Sequence, residues 1–189
     1  TLDRGPCHFK DEVLANLDGK IILVTAHRRE NFGEPLTEIC LALKEIAARY
    51  PQINIVYPVH LNPNVQQTVY QVLKGIENIH LIEPLEYEPF IHLMNKSHLI
   101  LTDSGGIQEE APSLGKPVLV LRQVTERTEA VEAGTVRLVG TDKIALVNEV
   151  VTLLENQREY EKMAETANPY GDGKDSKKIV RILLDHFAE

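Results

Sequence analysis

Thr102-Asp103-Ser104-Gly105-Gly106 follows an apolar run, Leu99 to Leu101, and passes directly into a helical pattern that carries Glu109 and Glu110. A short, continuously apolar run of this kind reads as a buried strand. A strand that feeds a glycine-rich turn and then a helix start builds an anion site. The first backbone N–H groups of a helix have no partner within it, and its dipole adds about half a positive charge there. Gly105 and Gly106 present no Cβ to hold a phosphate away from the backbone. Glu109 and Glu110 stand one turn further on, where a carboxylate can accept from ribose hydroxyls. The combination points to a nucleoside diphosphate, with phosphates at the turn and sugar beside the helix. The same residues also fit a plain strand-to-helix connection with Ser104 as its cap. The segment is neither a Walker A loop nor the Gly-x-Gly-x-x-Gly dinucleotide fingerprint.

Other residues able to do chemistry stand at the ends of other apolar runs. Thr25-Ala26-His27-Arg28-Arg29-Glu30 follows the first of them. His27 can donate to a phosphate or move a proton near neutral pH, and the arginines can fork onto phosphate oxygens. The alternative is a solvated network of Arg28, Arg29 and Glu30 beside a histidine that merely ends a strand. His60 follows the second run and reads equally as a site residue or a loop histidine bonded to backbone. After the third run, the proline-bounded loop Glu83 to Phe90 can offer backbone groups to a base edge, with Phe90 as a flat wall. A core position in the next helix is the competing fate of Phe90. Arg127, after the fifth run, reaches either a diphosphate or its neighbours Glu126 and Glu129.

The elements that position these residues are legible as a pattern. Ile21 to Val24, Ile53 to Val59, Ile79 to Ile82, Leu99 to Leu101, Val118 to Leu121 and Val136 to Val139 read as strands buried on both faces. Helical patterns separate them: Leu36 to Tyr50, Val65 to Lys74, Tyr87 to Lys96, Ile107 to Leu114 and Thr128 to Ala133. In the first, Leu36, Ile39, Leu43, Ile46 and Ala47 share one face. This alternation predicts a doubly wound α/β domain with a parallel six-stranded, Rossmann-like sheet, whose ligands bind beyond the carboxyl ends of the strands. The tail predicts helices over Asp142 to Asn156, Glu159 to Ala167 and Asp175 to Phe187, and the head, Thr1 to Asp18, shows a short helical pattern without a strand.

Composition narrows the partners. The 189 residues suffice for one full domain. A formal net charge of −8 argues against a general nucleic-acid binder. No apolar run reaches membrane-spanning length and no secretory pattern opens the chain. Cys7 and Cys40 have neither metal-ligand spacing nor the number for a disulfide framework, so the expected compartment is the cytoplasm and no metal is expected.

Taken in order, several stretches resemble the non-hydrolysing UDP-N-acetylglucosamine 2-epimerases of bacteria. They are His27-Arg-Arg-Glu-Asn-Phe-Gly33, Tyr57-Pro-Val-His-Leu-Asn-Pro-Asn64, Leu99 to Arg122, Thr125-Glu-Arg127, Glu132 to Gly140 and Asn168-Pro-Tyr-Gly-Asp-Gly173. The resemblance covers nearly the whole chain. It implies the two-domain GT-B architecture, of which residues 19–189 are the UDP-binding C-terminal domain and residues 1–18 a linker or remnant of the inter-domain region. It implies reversible inversion at C2, converting UDP-GlcNAc to UDP-ManNAc through elimination and re-addition of UDP, without a cofactor. Carried over by motif, Ser104, Gly105 and Gly106 would bind the diphosphate, Glu110 the ribose, and Leu85 and Phe90 would frame the uracil. Arg127 and His27 would contact the nucleotide sugar, with His27 also a catalytic candidate. Arg28, Glu30 and His60 match positions that contact a second, allosteric UDP-GlcNAc in regulated members. Leu85 stands where some relatives carry a polar residue, and Ala26 where many carry glycine.

The same resemblance places the carboxylates that move the C2 proton in an N-terminal domain this sequence does not contain. The chain is therefore expected to be silent alone, and a homodimer is expected of the full-length enzyme. The alternative readings are a GT-B glycosyltransferase donor domain, a hydrolysing 2-epimerase domain that releases free sugar, and a nucleotide-sugar-binding domain without chemistry.

Overall fold

The computed structural model describes Leu2, Leu14, residues 17–171 and residues 174–187. Cys7, His8 and most of the helical pattern expected at the head lie outside the described residues, as do Asp172 and Gly173. The described strands are β1 (Ile21–Thr25), β2 (Asn54–Pro58), β3 (Ile79–Ile82), β4 (Leu99–Thr102), β5 (Val118–Val120) and β6 (Val136–Leu138). The helices between and after them are α1 (Glu34–Arg49), α2 (Pro63–Leu73), α3 (Tyr87–Lys96), α4 (Gly105–Glu110), α5 (Thr128–Ala133), α6 (Lys143–Glu155), α7 (Gln157–Ala164) and α8 (Asp175–Phe187). Arg29–Asn31 and Ala111–Leu114 form short 3-10 turns, the second continuing α4.

All pairings are parallel, and the strand order is β3-β2-β1-β4-β5-β6. This is the doubly wound, Rossmann-like sheet expected from the apolar runs. Every residue of β1, β4 and β5 is buried, which is why those runs carry no polar alternation. The edge strands β3 and β6 have partly exposed residues.

Alternation along β1 divides the core into two layers. Ile22 and Val24 face Leu36, Ile39, Leu43 and Ile46 of α1, Val65 and Val69 of α2, and Leu146 and Val150 of α6. Ile21 and Leu23 face Ile91, Leu93 and Met94 of α3 and Ala130 of α5. Leu14 and Leu17 are buried in this second layer. Local chemistry sets the helix starts. Asn62 accepts from the Asn64 N–H at 2.9 Å ahead of Pro63, Asp142 from the Ala145 N–H at 2.8 Å, and Asn156 from the Glu159 N–H at 3.2 Å. Among the described residues no helix is long and apolar enough to cross a membrane.

Successive crossovers run outward in opposite directions from the β1/β4 pair: β1 leads to β2 and β3 on one side, and β4 to β5 and β6 on the other. The loops after β1 and β4 therefore part from each other and leave a crevice at the carboxyl edge. His27 and Ser104 stand in those two loops.

Candidate nucleotide site at the strand switch point

The crevice is stapled from below. Thr25 and Thr102 share a hydroxyl–hydroxyl bond of 2.6 Å across the ends of β1 and β4. The buried Tyr57 hydroxyl donates to the Ala26 carbonyl at 2.6 Å, so β2 also fixes the turn. Burial pushes the Tyr57 phenol well above its ordinary pKa, which keeps it a neutral donor. The Ser104 N–H donates to the Thr102 hydroxyl at 3.0 Å.

Asp103 organises the loop after β1. It is fully buried, and its Oδ2 accepts from the His27 N–H at 2.8 Å, the Arg28 N–H at 2.7 Å and the Asn31 side-chain amide at 3.0 Å. Sequence reasoning missed this residue as a hub, because its partners lie 72 to 76 residues away. The signal was its position directly after a buried strand.

Two arginines converge on the start of α4. Ser104 occupies the cap position of α4 but makes no side-chain cap bond. The reading of Ser104 as an ordinary side-chain cap is therefore not what the structure builds. Over Gly105 lie two cations: a Cβ there would stand 3.6 Å from the Arg127 guanidinium carbon and 3.8 Å from Arg28 Nη2. Gly106 is exposed beside them.

Arg127 is held by an ion pair with Glu109 across the crevice, rather than by Glu126 or Glu129. The loop fold explains the difference: the Thr125 hydroxyl accepts from the Arg127 N–H at 3.1 Å and donates to Gln108 at 2.6 Å, turning Arg127 toward α4. Glu126 is instead taken by the buried Arg122, which also binds Glu30 at 2.7 Å. Arg122 thus clamps the loop after β1 to the loop after β5, and its hydrogen bonds, with its charge adding, hold the exposed Glu126 carboxyl down to about 2. Arg122 was not singled out from sequence.

The ring of His27 lies parallel to that of His60, centroids 5.1 Å apart and planes 6° apart. His60 Nδ1 also accepts the Asn62 N–H at 3.1 Å, so this loop histidine is bonded to backbone while its ring stacks on His27. Burial depresses the His27 pKa, Asp103 opposes the shift, and His60 and Arg28 add to it. Glu110 is exposed and accepts from the Tyr87 hydroxyl at 3.2 Å, which brings the loop before α3 to the end of α4. Leu85 in that loop is half-buried against the second core layer; Phe90, expected at the end of the loop, instead lies within α3, where it is half-buried against the same layer and serves the core.

The structure therefore gathers His27, Arg28, His60, Ser104, Gly105 and Arg127 about one crevice, with Glu110, Leu85 and Phe90 on its β3–α3 flank. Glu30 turns to Arg122. A cavity of about 490 Å³ lies elsewhere, beyond the 3-10 turn after α4; its described lining, which includes Ser113, Thr166 and Asn168, holds no ionisable side chain. Among the described residues no group of three or more His, Cys, Asp or Glu is placed to hold a metal ion.

Comparison with known proteins gives one family. The family described as UDP-N-acetylglucosamine 2-epimerase matches residues 4–184. A probable UDP-N-acetylglucosamine 2-epimerase of Ralstonia nicotianae is 63% identical over 169 residues, covering 89% of this chain and 45% of the relative. The Escherichia coli K12 UDP-N-acetylglucosamine 2-epimerase is 60% identical over 183 residues, covering 94% of this chain and 49% of the relative. The chain thus spans about half the length of the curated relatives it matches. A crystal structure of the Neisseria meningitidis UDP-GlcNAc 2-epimerase bound to UDP-GlcNAc superimposes with a TM-score of 0.84 at 57% identity, covering 88% of this chain and 45% of that one. A Staphylococcus aureus structure described as a complex with UDP gives 0.89 at 45% identity, covering 95% of this chain and 50% of that one. With the motifs, the sheet order and the crevice already in place, the chain belongs to the UDP-N-acetylglucosamine 2-epimerase family.

Proposed function

We propose that this chain is the UDP-gripping domain of a non-hydrolysing UDP-GlcNAc 2-epimerase of GT-B architecture, residues 19–189 forming the C-terminal domain and residues 1–18 the approach to it. The observation that carries the reading is the meeting of Arg127 and Arg28 over Gly105 at the start of α4. Two guanidinium groups above a Cβ-free helix start match a diphosphate in charge and in donor geometry. The relatives whose structures hold UDP or UDP-GlcNAc support the choice of nucleotide.

Epimerisation by elimination and re-addition needs two things. The departing UDP accumulates charge, which preorganised donors stabilise. Arg127, Arg28, the amides of Gly105 and Gly106, and His27 supply them. The C2 proton needs a base on the other side of the sugar, and that base belongs to the partner domain of the same enzyme. Closure of the two domains excludes water from the glycal intermediate, which separates this reaction from the hydrolysing one. Glu110 serves the ribose and Leu85 and Phe90 frame the uracil, while Arg28, Glu30 and His60 border a second nucleotide-sugar position.

Isothermal titration of the chain with UDP tests the grip. Arg127→Ala is expected to weaken UDP about tenfold or more, as removal of a charge-assisted bond does. Equal affinity of the native chain and the variant removes the assignment. The chain alone is expected to leave UDP-GlcNAc unconverted, and accumulation of UDP-ManNAc would show that the missing base is not missing.

A further inference from the structure

Asp103 takes three hydrogen bonds at the site, all on one oxygen, so only half of its carboxylate is used. Oδ2 is saturated by the His27 N–H, the Arg28 N–H and the Asn31 amide. Oδ1 has no hydrogen-bond partner among the described residues, although the side chain is fully buried. It faces His27 Nδ1 at 3.5 Å. A buried carboxylate oxygen without a donor is costly, and the ring nitrogen opposite it becomes that donor if it holds the hydrogen. A movement of a few tenths of an ångström completes a charge-assisted bond. His60 Nδ1 is taken as an acceptor by the Asn62 N–H.

We infer that Asp103 is a positioning residue that fixes His27 as its Nδ1–H tautomer, so that Nε2, across the ring, is an acceptor when the imidazole is neutral and a donor once the ring takes up a proton. Asp103 thereby sets which protonation state of His27 meets an anion. The ring lies among three titratable or charged groups: Asp103 at the end of β4, His60 in the β2–α2 loop, and Arg28 beside it. Burial, His60 and Arg28 all favour the neutral ring, and Asp103 alone favours the imidazolium. The consequence for ligand binding rests on the nucleotide reading above: a diphosphate needs a donor at Nε2, so its arrival draws one proton from solvent onto His27.

Two measurements separate the inference from that reading. Long-range proton–nitrogen NMR of the ligand-free chain reports the His27 tautomer directly, its signals identified by their loss in His27→Gln. The neutral ring of the native protein is expected to carry its hydrogen on Nδ1, and a hydrogen on Nε2 overturns the inference without any change at Asp103. In Asp103→Asn the carboxamide oxygen can keep the three donors, which places its NH2 group against Nδ1. The hydrogen is then expected to move to Nε2, and an unchanged tautomer overturns the inference.

The second measurement is titration with UDP-GlcNAc, whose diphosphate is esterified at both ends and does not titrate near neutral pH. Native affinity is expected to fall by up to about tenfold per pH unit above the His27 pKa, and the Asp103→Asn profile to be flat, because its neutral ring already donates. Identical profiles in the two proteins overturn the positioning role and leave nucleotide binding standing. Failure of UDP-GlcNAc to bind, beside the expected tautomer switch, leaves the positioning role standing and removes the nucleotide reading.

Discussion

Gly105 and Gly115 are both glycines of the turn region around α4, but the structure asks different things of them. Gly105 has ordinary helical geometry, and a Cβ there meets only the Arg127 and Arg28 guanidiniums at 3.6 to 3.8 Å, a normal contact. Gly105→Ala is therefore expected to leave the melting temperature unchanged or slightly raised, by the roughly 0.5–1 kcal/mol that alanine gains over glycine in a helix. It is expected to weaken UDP about tenfold or more, since the methyl group stands where the phosphate must approach. Calorimetric melting and UDP titration on one protein separate the two effects, and unweakened UDP binding would place the phosphate elsewhere. Gly115 has φ +65°, and a Cβ there would lie 3.3 Å from the Ala164 carbonyl oxygen. Gly115→Ala is expected to cost about 1–2 kcal/mol. For a chain of this size that is a melting shift of roughly 2–8 °C, with UDP affinity retained in the folded protein. Gly105 and Arg127 stand out as candidates in the sequence by type and by place after a strand. The sequence does not reveal that Glu109, rather than Glu126 or Glu129, holds Arg127, because that choice follows from a hydroxyl bridge, Thr125 to Gln108, made only after folding. The part Asp103 plays is hidden in the sequence for the same reason, since its donors lie in the loop after β1.

At the scale of elements, α7 is tied to β4 by a stacked pair at the amino edge of the sheet, away from the crevice. His98, just before β4, lies against Tyr160 of α7 with centroids 4.2 Å apart, and the Tyr160 hydroxyl donates to the His98 carbonyl at 3.1 Å. His98 Nε2 is buried without a hydrogen-bond partner among the described residues. Burial chiefly, with Lys20 and Lys116 adding, pushes the His98 pKa down to about 4. The ring is thus neutral in the folded protein and basic in the unfolded one. The unfolded chain binds the extra proton as pH falls below the ordinary histidine value of about 6.5, so stability is full above that value and declines toward pH 4. His98→Phe keeps the stack and removes the titration. At pH 5 the native protein is expected to have lost about 1 kcal/mol more than the variant, relative to pH 7, by urea denaturation, because solvent reaches part of the ring and screens the shift. Parallel losses would mean that His98 is already charged in the fold. The strands themselves were legible, because β1, β4 and β5 are buried on both faces and leave unbroken apolar runs. Their ends shifted by one residue in places: Ile53 and Val59 fall outside β2, Leu121 outside β5 and Val139 outside β6. What no run of residues encodes by itself is the lateral order β3-β2-β1-β4-β5-β6, which sets His27 beside Ser104. That order is a property of the crossovers.

The whole molecule has a division that its hydropathy alone conceals. The Asp175–Phe187 segment has the helical period expected of it, and its apolar residues resemble those of α1 in kind. Yet α1 buries Leu36, Ile39, Leu43 and Ile46, whereas α8 has no buried residue, and Ile179, Ile182, Leu183, Leu184 and Phe187 are all exposed. A helix of this length without packing is marginal in water, since nucleation is unfavourable and most helical stability comes from a buried face. Two consequences follow for the chain by itself. Amide hydrogens of α8 are expected to exchange far faster than those of α1, which open only with the core. Ending the chain at residue 174 is expected to move the melting temperature by less than about 2 °C, because surface side chains contribute within roughly 0.5 kcal/mol. By contrast Leu153→Ala in α6, whose side chain sits in the first core layer, is expected to cost about 2–5 kcal/mol. If the shortened chain melted as low as Leu153→Ala, α8 would be contributing packing energy that its exposure in this structure denies, and the separation of core from tail would fail.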